Sequence, residues 1–218
     1  MGGEVVRQPN YLNTSIVVCY IAEVVESSTT EVVAECRQLN LSPPFGAFVR
    51  IDSEPVALGV VFNIATRSLD PTRRPIAYGK TEEELRLEQP QIFELLRTEF
   101  HALLVGFRQD KRGQGIETPS PSVFHQTLPP QPPRLHSFVY ICDKEEVRAF
   151  ASQHDYLRLL LNASRQTISD ELIIAACRTA LAAHDNDPQY LIRLGKELAR
   201  LLPRDYDRLN AIVRRIAQ

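Results

Sequence analysis

At 218 residues, 44% hydrophobic and 24% charged, the chain has the composition of an ordinary folded protein of one large domain or two small ones. A chain of this length buries roughly 70% of its unfolded surface, so folding requires neither disulfides nor a metal. A net charge of −2 argues against a protein whose main work is neutralising a phosphate backbone, a task usually done by basic chains.

The opening "MGGEVVRQ" has no apolar secretory core, and Val6 stands where a myristoylation signal carries Ser or Thr. The longest apolar run, 16–25, contains Glu23 and is too short to span a bilayer, so a cytoplasmic protein without membrane insertion is expected. Cys19, Cys36, Cys142 and Cys177 lack metal-hairpin spacing, and their apolar settings predict buried, reduced thiols.

The first two thirds read as β-structure. "SIVVCYIAEVVES" and "TEVVAECR" are rich in β-branched residues and separated by the turn-forming "SSTT". "GAFVRI" and "VALGVVFNIAT" follow, with Pro55 in their connector, where it breaks no ladder bond, and Gly59 marking a bulge or tight bend. "EFHALLVGFR" and "LHSFVYIC" complete six strands, and closure into a small barrel would leave no exposed edges.

Two insertions interrupt these strands. Residues 81–97 read as helical: Thr81 and Glu84 form a capping box, Pro90 opens a second short helix, and Ile92, Leu95, Leu96 and Glu99 share helical spacing, the apolar ones facing the barrel. Residues 110–134 hold six of the 15 prolines and are read as a loop, mobile near Gly113 and Gly115 and extended beyond. Its Pro-rich half is expected to be anchored by Val123, Phe124 and Leu128, with Phe124 and Leu128 buried.

From Asp143 the period is helical. "DKEEVRAFASQHDYLRLLLNAS" is one helix or a pair, and "SDELIIAACRTALAAH" aligns Leu172, Cys177, Ala180 and Leu181. Asp187 caps a helix that Pro188 opens and Pro203 stops, and Leu209, Ile212, Val213 and Ile216 form the last apolar stripe. The sum is an α+β fold: an N-terminal six-stranded barrel over 1–143 with its helical insertion, then a C-terminal helical bundle over 144–218.

Candidate chemistry is sparse. Gly79-Lys80-Thr81 lacks the earlier glycine of a phosphate loop, Arg74 standing in its place, and the capping box already accounts for Thr81. His154-Asp155 and His184-Asp185 are neighbours along the chain and form no ready acid–base couple, while a positive His184 suits the end of its helix. No catalytic residue, metal ligand or cofactor is assigned; a hydrolase would need a pocket gathering His101, His125, His136 or His154 with carboxylates. Tyr190 to Gln218 carries seven basic residues against three acids. Within it Arg200, Arg204, Arg208, Arg214 and Arg215 are candidate contacts for nucleic acid or an acidic partner, and equally suit a solvated helical face.

The segment "PPFGAFVRIDSEPVALGVVFNI", with its Gly-led strand, the "LGVV" of the next and the polar turn "LDPTRRP", resembles the HAS-barrel. That small barrel is shared by HerA-type DNA-translocating ATPases and the α and β subunits of rotary ATP synthases. The resemblance covers about 15–143 and implies assembly or docking, the chemistry residing in an attached ATPase core. No P-loop motif follows the barrel in this sequence, so an interaction role carries over and no catalytic residue does. The expected partner is a protein, an ATPase or another multisubunit complex, with Lys111, Arg112, Gly113 and Gly115 as the candidate docking loop. The alternative is a nucleic-acid-binding accessory factor in DNA processing.

Overall fold

The computed structural model describes residues 19–70, 72, 74–109, 123–163 and 170–218. Its strands are β1 (Ala22–Ser27), β2 (Glu31–Cys36), β3 (Phe48–Ile51), β4 (Val56–Ser68), β5 (Leu96–Gln109), β6 (Val123–His125) and β7 (Phe138–Ile141). Every pairing is antiparallel in the order β2-β1-β7-β3-β4-β5-β6, and a further β2–β5 pairing closes six of the seven strands into a barrel. The six barrel strands match the six read from the sequence. The seventh, β6, lies in the segment expected to be loop and pairs with Phe107–Gln109 of β5.

Alternation in β1, β2 and β3 fills the barrel. Ala22 and Val24, Val32, Ala34 and Cys36, and Val49 and Ile51 point inward and meet Phe100, Ala102, Leu104 and Val139. β4 does not alternate, and the reason lies outside the barrel. Phe48, Leu58, Val60, Leu103 and Val105 point outward and are covered by helices, so β4 and β5 are buried on both faces. Gly59 sits at a register shift in the β4–β5 ladder, the bulge its lack of a side chain suggested, and an added Cβ would lie 3.1 Å from Ala102 Cβ.

The helices are α1 (Glu82–Glu88), α2 (Gln91–Glu94), α3 (Lys144–Phe150), α4 (Tyr156–Ala163), α5 (Asp170–Ala183), α6 (Pro188–Leu201) and α7 (Tyr206–Ile216). Asp143 forms a capping box with Glu146 at α3, and Asp187 caps α6 with Pro188 in the first turn. The expected face of α5 is buried at Leu172, Cys177, Ala180 and Leu181; on α7 Ile212 and Ile216 are buried and Leu209 and Val213 partly so. No helix among the described residues is long and apolar enough to cross a membrane.

Two glycines let helix and sheet touch. Gly46, at φ +80°, precedes β3 and lies against α5, where an added Cβ would stand 2.4 Å from Ala175 Cβ; its carbonyl accepts from Thr179 Oγ1 at 3.2 Å. At Gly106 of β5 the same Cβ would meet the His125 carbonyl at 2.5 Å and the Phe150 ring at 2.7 Å.

Several expectations need correction. The helical reading of 81–97 ends too late: α2 stops at Glu94, and Leu96 and Glu99 belong to β5, because pairing with β4 outweighs their helical spacing. Leu95 does not face the barrel but is 54% exposed. Cys19 is exposed, its Sγ 2.6 Å from Arg37 Nη1, while Cys36, Cys142 and Cys177 are buried as expected. Burial pushes the Cys177 thiol up to about 12. Val123 and Leu128 are each 39% exposed and are no anchors; Phe124, partly buried, packs edge-on against Phe150 at 5.9 Å, and Pro129 and Pro133 are the buried residues of that strap.

Candidate partner-docking arm

β4 and β5 are longer than the barrel that contains them. β3 pairs with β4 only from Ala57 to Val60, and β2 pairs with β5 only from Glu99 to Leu103. The ladder continues through Thr66↔Thr98, Arg67↔Arg97 and Ser68↔Leu96 with no third strand paired on either side among the described residues. A polar stitch marks where the barrel ends: the Thr66 and Thr98 hydroxyls lie 2.8 Å apart, and the Asn40 N–H donates to Thr98 Oγ1 at 2.8 Å. Beside it, Arg97 Nε sits 3.0 Å from the buried Glu99 carboxylate.

Beyond this stitch the hairpin carries α1 and α2 at its tip, and neither helix has a buried residue. Its apolar side chains face outward, including Leu87 at 85% and Ile76 at 68% exposed. Leu69, Tyr78 and Leu95 join them, and a concavity of about 340 Å³ lies among Ser68, Arg74, Pro75, Ile76, Tyr78, Ile92, Leu95 and Leu96. No described residue between 63 and 99 belongs to either hydrophobic core. The tip is nonetheless ordered by local bonds: the Thr81–Glu84 capping box, the Glu82–Arg86 pair at 2.7 Å, the Lys80–Glu88 pair, and Arg86 over the Phe93 ring at 4.3 Å. Residues 69–95 contain six carboxylates against Arg73, Arg74, Lys80 and Arg86, a net charge of −2, the acids clustering on α1 and Arg74 lining the concavity.

The sequence-derived candidates lie elsewhere. Lys111, Arg112, Gly113 and Gly115 fall outside the described residues, as does the expected mobility of that segment. Arg200 is bound to Glu197, Arg208 to Asp170 at 2.7 Å, and Arg215 to Glu171, the last two tying α7 to the first turn of α5. Arg204 and Arg214 are exposed and make no ion pair among the described residues. The Lys80 side chain is paired with Glu88 and Thr81 is engaged in the capping box, so both side chains of the Gly79-Lys80-Thr81 stretch are used within the tip.

The histidines do not converge on one pocket. His101 packs edge-on to Phe62, His125 stacks on Phe107, and His136 Nδ1 meets Glu23 Oε1 at 2.5 Å. His136, Glu23 and Cys36 do line one shallow pocket of about 290 Å³. There burial, aided by Glu35 and Glu99, pushes the Cys36 thiol up to about 11, the opposite of an activated nucleophile. Among the described residues no group of three His, Cys, Asp or Glu side chains is placed to hold a metal ion.

The exposed tip escaped sequence reading because its apolar residues have the spacing of a core-facing helix. The signal that could have found it is Leu87, an isolated apolar residue among "EEELRLE" with no apolar partner three or four positions ahead on α1. No model of a known family matches the chain, and no curated protein proves similar to it.

Proposed function

We propose that the protein is a non-enzymatic interaction and assembly module, a HAS-like barrel braced by a C-terminal helical bundle, which docks to a larger complex through the β4–β5 arm. One observation carries this reading: an ordered hairpin tip that displays Leu69, Ile76, Tyr78, Leu87 and Leu95 to solvent while contributing to neither core. A hairpin that only joined two strands would close in a few residues. The partner that fits is a protein with an apolar face flanked by Lys or Arg, which match the glutamates of α1. By resemblance, such a partner is an ATPase or another multisubunit assembly.

The nucleic-acid alternative rests on Arg204 and Arg214, because Arg200, Arg208 and Arg215 are already engaged with carboxylates. Polarisation with labelled single- and double-stranded DNA at two salt concentrations tests it, and silence at low salt rejects it.

Replacing 70–94 by a two-residue Asn-Gly turn tests the main reading. Because Leu69 and Leu95 already bond across the hairpin, the shortened arm can close. We expect a melting temperature within about 3 °C of the parent, since the removed residues lie outside both cores. Photo-crosslinking from position 67, an exposed site on the arm that both chains keep, should identify one partner in the parent and none in the variant. Capture that survives the replacement unchanged would overturn the arm as the docking element.

A further inference from the structure

Two His-Asp pairs thirty residues apart bring their imidazoles onto one tyrosine. His184, just past α5, stacks on Tyr190 with centroids 3.8 Å apart and planes at 14°. His154, between α3 and α4, lies against the same ring at 5.2 Å. Tyr190 belongs to the first turn of α6, is fully buried, and donates its hydroxyl to the Ala151 carbonyl at 3.0 Å. The three rings thus join three separate elements at one point.

Neither imidazole has a partner for its inner nitrogen. His154 Nε2 and His184 Nε2 are both buried without a hydrogen bond among the described residues. A proton added there would need a carboxylate, and each nearby one is already engaged. Glu197, facing His154 from α6, holds Arg200; Asp185 holds Lys144 and Arg148; Asp187 caps α6. Asp155, beside His154, is exposed and 4.0 Å from Arg200. Cations act on the imidazoles as well: Arg193 lies over Tyr190 at 5.7 Å and disfavours a proton on both, Arg148 of α3 disfavours one on His184, and a charged His184 disfavours one on His154. Burial holds both rings below the ordinary histidine range, although His184 stands at a helix end where its positive form was expected to be favoured.

We propose that the His154–Tyr190–His184 stack is a proton-operated latch: neutral, it clasps the first turn of α6 to the α3–α4 junction and the end of α5; protonated, it lets α6 go. The unfolded or released segment accepts protons at the ordinary histidine value of about 6.5, whereas the clasped rings resist them. Stability of the clasp is therefore full above that pH, starts to fall as pH drops through it, and goes on falling until the clasped rings themselves titrate.

Hydrogen exchange on the full chain at pH 7.5 and 5.5, expressed as protection factors, provides the test. We expect peptides covering Pro188–Leu201 to lose protection at least tenfold at the lower pH while β1–β5 hold theirs. The double variant H154Q/H184F, which removes both titrating groups and retains a ring against Tyr190, should keep α6 protection within twofold between the two pH values. Should that variant fail to fold, NMR titration of the parent decides: both rings must titrate below 6.5, with α6 amide shifts following at the same midpoints. Protection of α6 that does not change with pH, parallel loss in the barrel strands, or a ring titrating at 6.5 or above would overturn the latch.

Discussion

Gly46 shows how a single missing side chain can set the distance between two layers. Its positive φ is costly for any other common residue, and its neighbour is not a flexible side-chain tip but the Ala175 methyl and backbone of α5. Gly46→Ala must push α5 off the barrel or distort the start of β3. We expect a loss of about 3 kcal/mol, overpacking and backbone strain combined, read as a lower urea midpoint with unchanged slope. Gly59→Ala is the milder control, since its tightest contacts are 3.1 Å rather than 2.4 Å. Gly59 could be read from its place in an aliphatic strand. Gly46 could not, because the residue it touches lies well over a hundred positions away.

Two capping boxes of similar geometry should differ in what they are worth. The box at Asp143 opens α3, whose Val147 and Phe150 are buried in the core that joins helices to barrel. The box at Thr81 opens α1, which has no buried residue. Asp143→Ala should cost about 1 kcal/mol of global stability, while Thr81→Ala should leave the urea midpoint unchanged and only loosen amide protection within the tip. The box at Thr81 was legible because the signal is local and spans four residues; the one at Asp143 carries the same signal, but there only the start of helical periodicity was read. Also legible were the six barrel strands, five of which keep alternation or an unbroken aliphatic run. β6 was not, being three residues long beside a Pro-rich stretch, and the β2–β5 pairing that closes the barrel leaves no local mark at all. The β4–β5 arm was half legible: its capping box and short helices were, but their outward-facing apolar residues obey the same spacing as a buried face. The histidine pairs were visible as motifs, yet only the helix turn at Asp187 brings Tyr190 between them.

At the scale of the whole molecule, one hydrophobic cluster runs from Phe48, Leu58, Val60, Leu103 and Val105 of the sheet into α3 through α7. The aromatic contacts Phe48–Phe150 at 6.0 Å and Phe48–Tyr156 at 5.7 Å lie across that seam. A chain cut after residue 143 would present the outer faces of β3, β4 and β5 to water. We expect that fragment to be insoluble or to bind a hydrophobic dye strongly, and the full chain to unfold in one transition seen alike by far-UV circular dichroism and tyrosine fluorescence. Two separated transitions would show that barrel and helices are stable independently.

The free edge of β4 has a consequence for supply. From Phe62 to Ser68, about 20 Å of strand, β4 is paired on one side only among the described residues, and Ile64 stands exposed beside it. A chain made in excess of whatever covers that edge offers a template to other strands and an apolar handle to quality-control machinery. On the docking role proposed above, its abundance should follow that of the partner. Pulse-labelling with partner synthesis shut off should shorten the lifetime of the parent chain, and shorten it less for a variant with Ile64→Lys, a charge of the kind that natural sheets place at exposed edges.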